Sequence, residues 1–236
     1  LLDGETLKAR LDRAGRLPAA EAVPLAIDLA EALAEVHGAG IVHRDLKPSN
    51  VGLPLAGPAR VKLLDFGLAT SADGRVLERI TQGLELLGTL PYMAPEQFFE
   101  TPPAPAADLY ALGVILYEML TGRLPFAASS PAAVIQEHLH APVPPFEVPV
   151  PPWVDAVVRR LLAKDPSARF AAAAAAARAL RQGDPMTLES TVAATPLPSA
   201  PRLALGSEPL PGLPTRSGRR RTMSAPRGIR AARRVG

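Results

Sequence analysis

Apolar positions early in the chain recur at helical spacing. Leu25, Leu29, Leu33 and Val36 line one face while Asp28, Glu31 and Glu35 take another, which predicts an amphipathic helix over residues 20 to 37, ended by Gly38 and Gly40. A shorter helix, Thr6 to Ala14, precedes it and stops at Gly15, a residue suited to the left-handed backbone that follows a helix. The period then changes. Ile41-Val42, Val51 to Leu53 and Val61 to Leu64 are brief apolar runs, and the last two, separated by Gly57-Pro58, predict a small hairpin. Residues 41 to 67 hold the only sheet expected. Residues 68 to 95 show no sustained period and contain Gly74, Gly83, Gly88 and Pro91, the mark of a long functional loop. Asp108 to Leu120, DLYALGVILYEML, is apolar nearly all round and predicts a helix buried on every side. Further helices are expected near 131 to 140, 153 to 163 and 170 to 181, separated by proline-rich joints such as APVPPFEVPVPP. The pattern implies a mainly α fold with one small β element.

Composition narrows the function classes. With 47% hydrophobic residues in 236, the chain has material for one core plus extras. The absence of cysteine excludes a disulfide framework and a thiolate metal site, and four scattered histidines argue against zinc. No apolar run reaches the roughly 18 residues of a membrane-spanning helix, and LLDGETLKAR carries charge too early for a signal peptide. A soluble, cytoplasmic chain is expected, and a start without methionine suggests a fragment. The charge is divided. Residues 1 to 182 hold 17 Lys and Arg against 20 Asp and Glu, whereas 183 to 236 hold 9 against 3, so the basic character belongs to the tail.

That tail is rich in Pro, Ala, Ser and Arg with almost no aromatic residue, and cannot bury enough surface to order itself. Its densest charge, Ser217 to Thr222, could serve an acidic partner or an arginine-directed phosphorylation site at Thr222 or Ser224; a solvated linker is the simpler reading, and nucleic acid is not the expected partner.

Chemistry concentrates in IVHRDLKPSN, residues 41 to 50, followed by Asp65-Phe66-Gly67, by GTLPYMAPE ending at Glu96, by DLYALG beginning at Asp108, and by Arg169 of DPSARF. Any one triplet is weak evidence; five in this order make the chain resemble the C-terminal lobe of a Hanks-type protein kinase of the bacterial serine/threonine kind, over residues 1 to 182. The resemblance implies a kinase-like helical lobe with a small β-hairpin and no N-lobe, and transfer of the ATP γ-phosphate to Ser/Thr hydroxyls of protein substrates with Mg²⁺, or Mn²⁺ in its place. It also allows self-phosphorylation, dimerisation and membrane anchoring of an intact parent.

Residue by residue, the resemblance makes Asp45 the group that accepts the incoming hydroxyl's proton, and carries Lys47 to the γ-phosphate. Asn50 and Asp65 become oxygen ligands for the metal. Glu5 falls where the family often sets an acid against the ribose, with a helix-start carboxylate as the alternative. Arg44 matches the residue that pairs with a phosphorylated loop, for which Thr81 is the best acceptor, against the bland reading of solvated loop hydroxyls. Thr89 matches the threonine beside the catalytic aspartate and lysine. His43, which packs beneath Phe66 and steadies the loop, is structural, as are Phe66 and Gly67 themselves, the Glu96–Arg169 ion pair, and Asp108, which ties down the catalytic loop.

Two departures stand out. No G-x-G-x-x-G and no V-A-I-K-type lysine occurs in these 236 residues, so the chain alone is expected to be inactive, and a non-catalytic interaction module is the rival reading. Gly52 stands where the family sets a larger apolar residue against the adenine.

Overall fold

A computed structural model describes residues 3–57, 60–65, 88–99 and 104–183. The chain enters through a short strand, β1 (Gly4–Thr6), which pairs antiparallel with β2 (Val51–Pro54); β2 pairs in turn with β3 (Lys62–Leu63). In register, Gly4 faces Pro54 and Thr6 faces Gly52, while Val51 faces Leu63. The expected hairpin is thus β2–β3, but the sheet has a third strand from outside residues 41 to 67. Three residues, Gly-Glu-Thr, offer no alternation to read, and their strand character comes from docking on β2. Gly4 permits that docking, since a Cβ there would lie 2.1 Å from the carbonyl oxygen of Leu53. Ile41-Val42 forms no strand, and Ile41 is exposed.

Thr6 closes β1 and caps α1 (Leu7–Ala14), its hydroxyl accepting from the Ala9 N–H at 3.2 Å. Gly15 ends the helix at φ 72°. Helix α2 (Ala19–Gly38) buries Ala22, Ala26, Leu29, Ala30 and Leu33 and keeps its carboxylates outward, close to the predicted span. Helix α3 (Pro105–Thr121) is the axis of the fold: every residue from Ala107 to Tyr117 is buried, as its unbroken apolar run requires. Around it stand α4 (Pro131–His140), α5 (Pro152–Leu161) and α6 (Ala173–Gln182). Helix α2 packs on α3 and α6, and α3 crosses α5 at Gly113, where a Cβ would meet the Leu161 side chain at 2.8 Å.

A second, smaller cluster of Leu90, Met93, Phe98, Val134 and Ile135 seats the segment before α3 on α4. Two short 3-10 turns, Leu90–Tyr92 and Pro95–Phe98, give that segment its shape. Most of the long loop expected over 68 to 95, and the basic tail beyond residue 183, lie outside the described residues. Among the described residues no helix is long and apolar enough to cross a membrane.

Candidate functional site

The decapeptide leaves α2 and is caught at once by α3. Asp108, in the first turn of α3 and 1% exposed, accepts from the backbone N–H of His43 at 2.8 Å and of Arg44 at 2.9 Å, and its Oδ2 also meets His37 Nε2 at 2.8 Å. A buried carboxylate needs such partners, and here they fix the start of the loop. Arg44 then adopts φ 70°, a left-handed conformation costly for a side chain of its type. His43, fully buried, places its Nε2 3.0 Å from the carbonyl oxygen of Leu64, so the loop and the residue before Asp65 are held together.

Past this anchor the polar side chains converge. Asn50 donates both to the backbone carbonyl of Asp45, at 2.8 Å, and to Asp45 Oδ2, at 3.0 Å. Thr89 donates its hydroxyl to Asp45 Oδ1 at 2.9 Å and accepts from Lys47 Nζ at 2.8 Å. Lys47 Nζ also lies 2.9 Å from Asp45 Oδ2. The aspartate therefore has both oxygens engaged by three neighbours, with its side chain still 22% exposed and open to a reactant. The orientation of Asn50 follows from its partners: two acceptors face the NH₂, and the amide oxygen lies 3.5 Å from the Ser49 hydroxyl. The backbone N–H of Leu64 donates to the Asn50 carbonyl at 2.9 Å, which brings Asp65 up beside it, exposed and at φ 45°. An amide oxygen and a carboxylate, which Asn50 and Asp65 could offer, are hard oxygen donors of the kind Mg²⁺ prefers.

Glu5 is placed differently from a free acid. Its carboxylate takes Arg10 Nε at 2.6 Å and both terminal nitrogens of Arg13, at 2.5 and 2.9 Å, and these bonds hold it well below the ordinary carboxylate range, at about 2. Arg10 also reaches Glu21 at 2.6 Å. No pattern in the sequence announces this network. Gly52 is buried in β2.

On the far side, Arg169 meets Glu96 through two bonds, and Ala94 to Phe98 carries further contacts. Gln97 accepts from the Ala94 N–H at 2.8 Å and donates to the Arg44 carbonyl at 3.3 Å. Tyr92 donates to Glu118 at 2.8 Å, and burial raises the pKa of both groups. His37, Gln97 and Glu118 went unmarked in the sequence because each is an isolated polar residue whose partner lies many positions away. Phe66, Gly67 and Thr81 lie outside the described residues, so the seat of His43 beneath Phe66 and the pairing of Arg44 with a loop phosphate lie outside them too. Arg44 Nε is buried with no hydrogen-bond partner among the described residues.

A family model described as "Protein kinase domain" matches residues 1–180. The chain is similar to serine/threonine-protein kinase PknA of Mycobacterium tuberculosis, 38% identical over 188 residues that make up 77% of this chain and 42% of PknA. It is similar to serine/threonine-protein kinases PkaB and PkaA of Streptomyces coelicolor, at 40% and 42% identity over 79% and 72% of this chain and 45% and 31% of theirs. The chain thus spans less than half the length of these curated relatives.

Proposed function

Because this chain belongs to the protein kinase family, on the bacterial Hanks-type serine/threonine side of it, we propose that it is the phosphotransfer lobe of a serine/threonine protein kinase acting on protein hydroxyls. The observation that carries this reading is the closed circuit of Asp45, Lys47 and Thr89, with Asn50 locked against the same carboxylate. ATP with Mg²⁺ would supply the phosphoryl group and spread its negative charge.

The chain's own residues do the rest. Asp45, fixed at both oxygens, orients the substrate hydroxyl and takes up its proton. Lys47, tethered through Thr89, sets a positive charge where charge develops on the transferring group, and it already stands in position. A lysine at this place, two residues after Asp45, favours Ser/Thr substrates by resemblance. Asn50 and Asp65 would hold the metal through oxygen. Glu5 would turn toward the ribose only by loosening its two arginines.

These 236 residues contain neither a glycine-rich loop nor the lysine that normally accompanies it. On that ground we place turnover in a larger protein and expect none from the chain by itself, in the cytoplasm, with self-phosphorylation and dimerisation as properties of the complete enzyme. The test is transfer of radiolabelled γ-phosphate by the complete gene product, followed by phosphoamino-acid analysis. Phosphoserine and phosphothreonine, abolished in Asp45→Asn, are expected; phosphotyrosine, or transfer undiminished in that variant, would overturn the reading.

A further inference from the structure

We propose that Gln97 is a positioning residue for Asp45, a two-ended strut that sets the angle of the catalytic carboxylate from the turn Pro95–Phe98. The inference rests on the phosphotransfer reading above. One end of the side chain, Oε1, accepts the backbone N–H of Ala94 at 2.8 Å; the other, Nε2, donates to the carbonyl of Arg44 at 3.3 Å. Neither end can be exchanged, since Ala94 N–H only donates and the Arg44 carbonyl only accepts, so the amide orientation is forced.

The carbonyl of Arg44 and the N–H of Asp45 belong to one planar peptide unit. Whatever fixes that carbonyl fixes the plane from which the Asp45 side chain departs. Arg44 is also where that plane most needs support, because its φ of 70° is a conformation such a residue leaves readily. Asp108 holds the preceding N–H at 2.9 Å, and Gln97 holds the carbonyl, so the left-handed residue is clamped on both sides. Asp108 works from α3, whereas Gln97 works from the turn Pro95–Phe98, which sits on α4 through Phe98. The strut therefore makes the geometry of Asp45 depend on whether that turn is seated on α4. Glutamine suits this task and glutamate does not: the acid keeps the Ala94 contact but turns an acceptor on the Arg44 carbonyl.

Two variants and two readouts test this. In the complete gene product, Gln97→Glu and Gln97→Met should lower kcat about tenfold with KM for ATP unchanged, the scale of one lost hydrogen bond. In the chain itself, amide hydrogen exchange at Asp45 should accelerate in both variants while the thermal midpoint holds, because the loop opens locally and the core does not. Exchange at Asp45 equal to wild type overturns the strut whatever the kinetics. Faster exchange with an unaltered kcat overturns its role in positioning. If wild type transfers no phosphate, the kinase reading fails, and the exchange measurement still decides the strut.

Discussion

Arg169 and Glu96, 73 positions apart, meet through two parallel bonds of 2.6 and 2.7 Å, and the arginine also donates to the carbonyls of Ala163, Ala106 and Lys164. All five guanidinium N–H groups are spent, its Cζ lies 4.9 Å from the centre of the Tyr110 ring, and its side chain is fully buried. Arg169→Met would remove a donor from each of three carbonyls and the paired donors from one partly buried carboxylate. A loss of about 3 to 5 kcal/mol is expected in urea unfolding. A loss below about 1 kcal/mol would show that the pair is replaceable.

Acid should weaken the fold through His138. This ring is fully buried among Phe98, Tyr110 and Phe126, with the Tyr110 hydroxyl 2.9 Å from Nδ1 and Lys164 nearby, and burial pushes its pKa down to about 3. The unfolded chain, with an ordinary histidine, binds the extra proton first, so stability falls as pH drops below about 6.5, by up to roughly 1.4 kcal/mol per unit. Unfolding between pH 4.5 and 6.5 separates this group from the ordinary carboxylates, and Glu118, whose buried carboxyl is shifted upward, acts there with the opposite sign. His138→Gln should flatten the slope there, and an identical slope would assign it elsewhere.

The hydroxyl of Thr89 joins Asp45 to Lys47, so its removal should be felt in chemistry rather than in folding. Thr89→Val, nearly isosteric, is expected to lower kcat of the complete enzyme by about tenfold or more, while Thr89→Ser retains most of it. Equal kcat for the two variants would remove the hydroxyl from the account.

Glycines at two places are required for opposite reasons. Gly113→Ala drives a methyl to 2.8 Å from Leu161, in a crossing with no free space, and an overpacking cost of about 1 to 3 kcal/mol exceeds the roughly 1 kcal/mol that alanine gains in a helix. Gly15→Ala meets nothing within 4 Å but must hold φ 72°, for about 1 to 2 kcal/mol. Relieving the contact should separate them: Leu161→Gly, which removes the Cβ that the new methyl meets, offsets Gly113→Ala in a double-mutant cycle and leaves Gly15→Ala unaltered.

The helices were legible because their reasons are local: the outward carboxylates of α2, the unbroken apolar run of α3, and prolines opening α3, α4 and α5. Asp45, Lys47 and Asn50 were legible because they crowd into one decapeptide. What escaped was decided at a distance. Strand β1 exists through its pairing with β2, Glu5 is taken by arginines one and two turns into α1, and His37 and Gln97 matter only once Asp108 and Arg44 stand beside them. Spacing along the chain carries no record of such contacts.

Arg44 and Asp65, at φ 70° and 45°, adjoin or belong to the residues proposed for the hydroxyl and the metal. Each holds a backbone shape that a glycine would take at little cost, a difference of about 1 to 3 kcal/mol. Selection for heat resistance alone would therefore drift toward glycine at both places and yield a sturdier but idle protein. Endurance and the proposed chemistry therefore pull this loop in opposite directions.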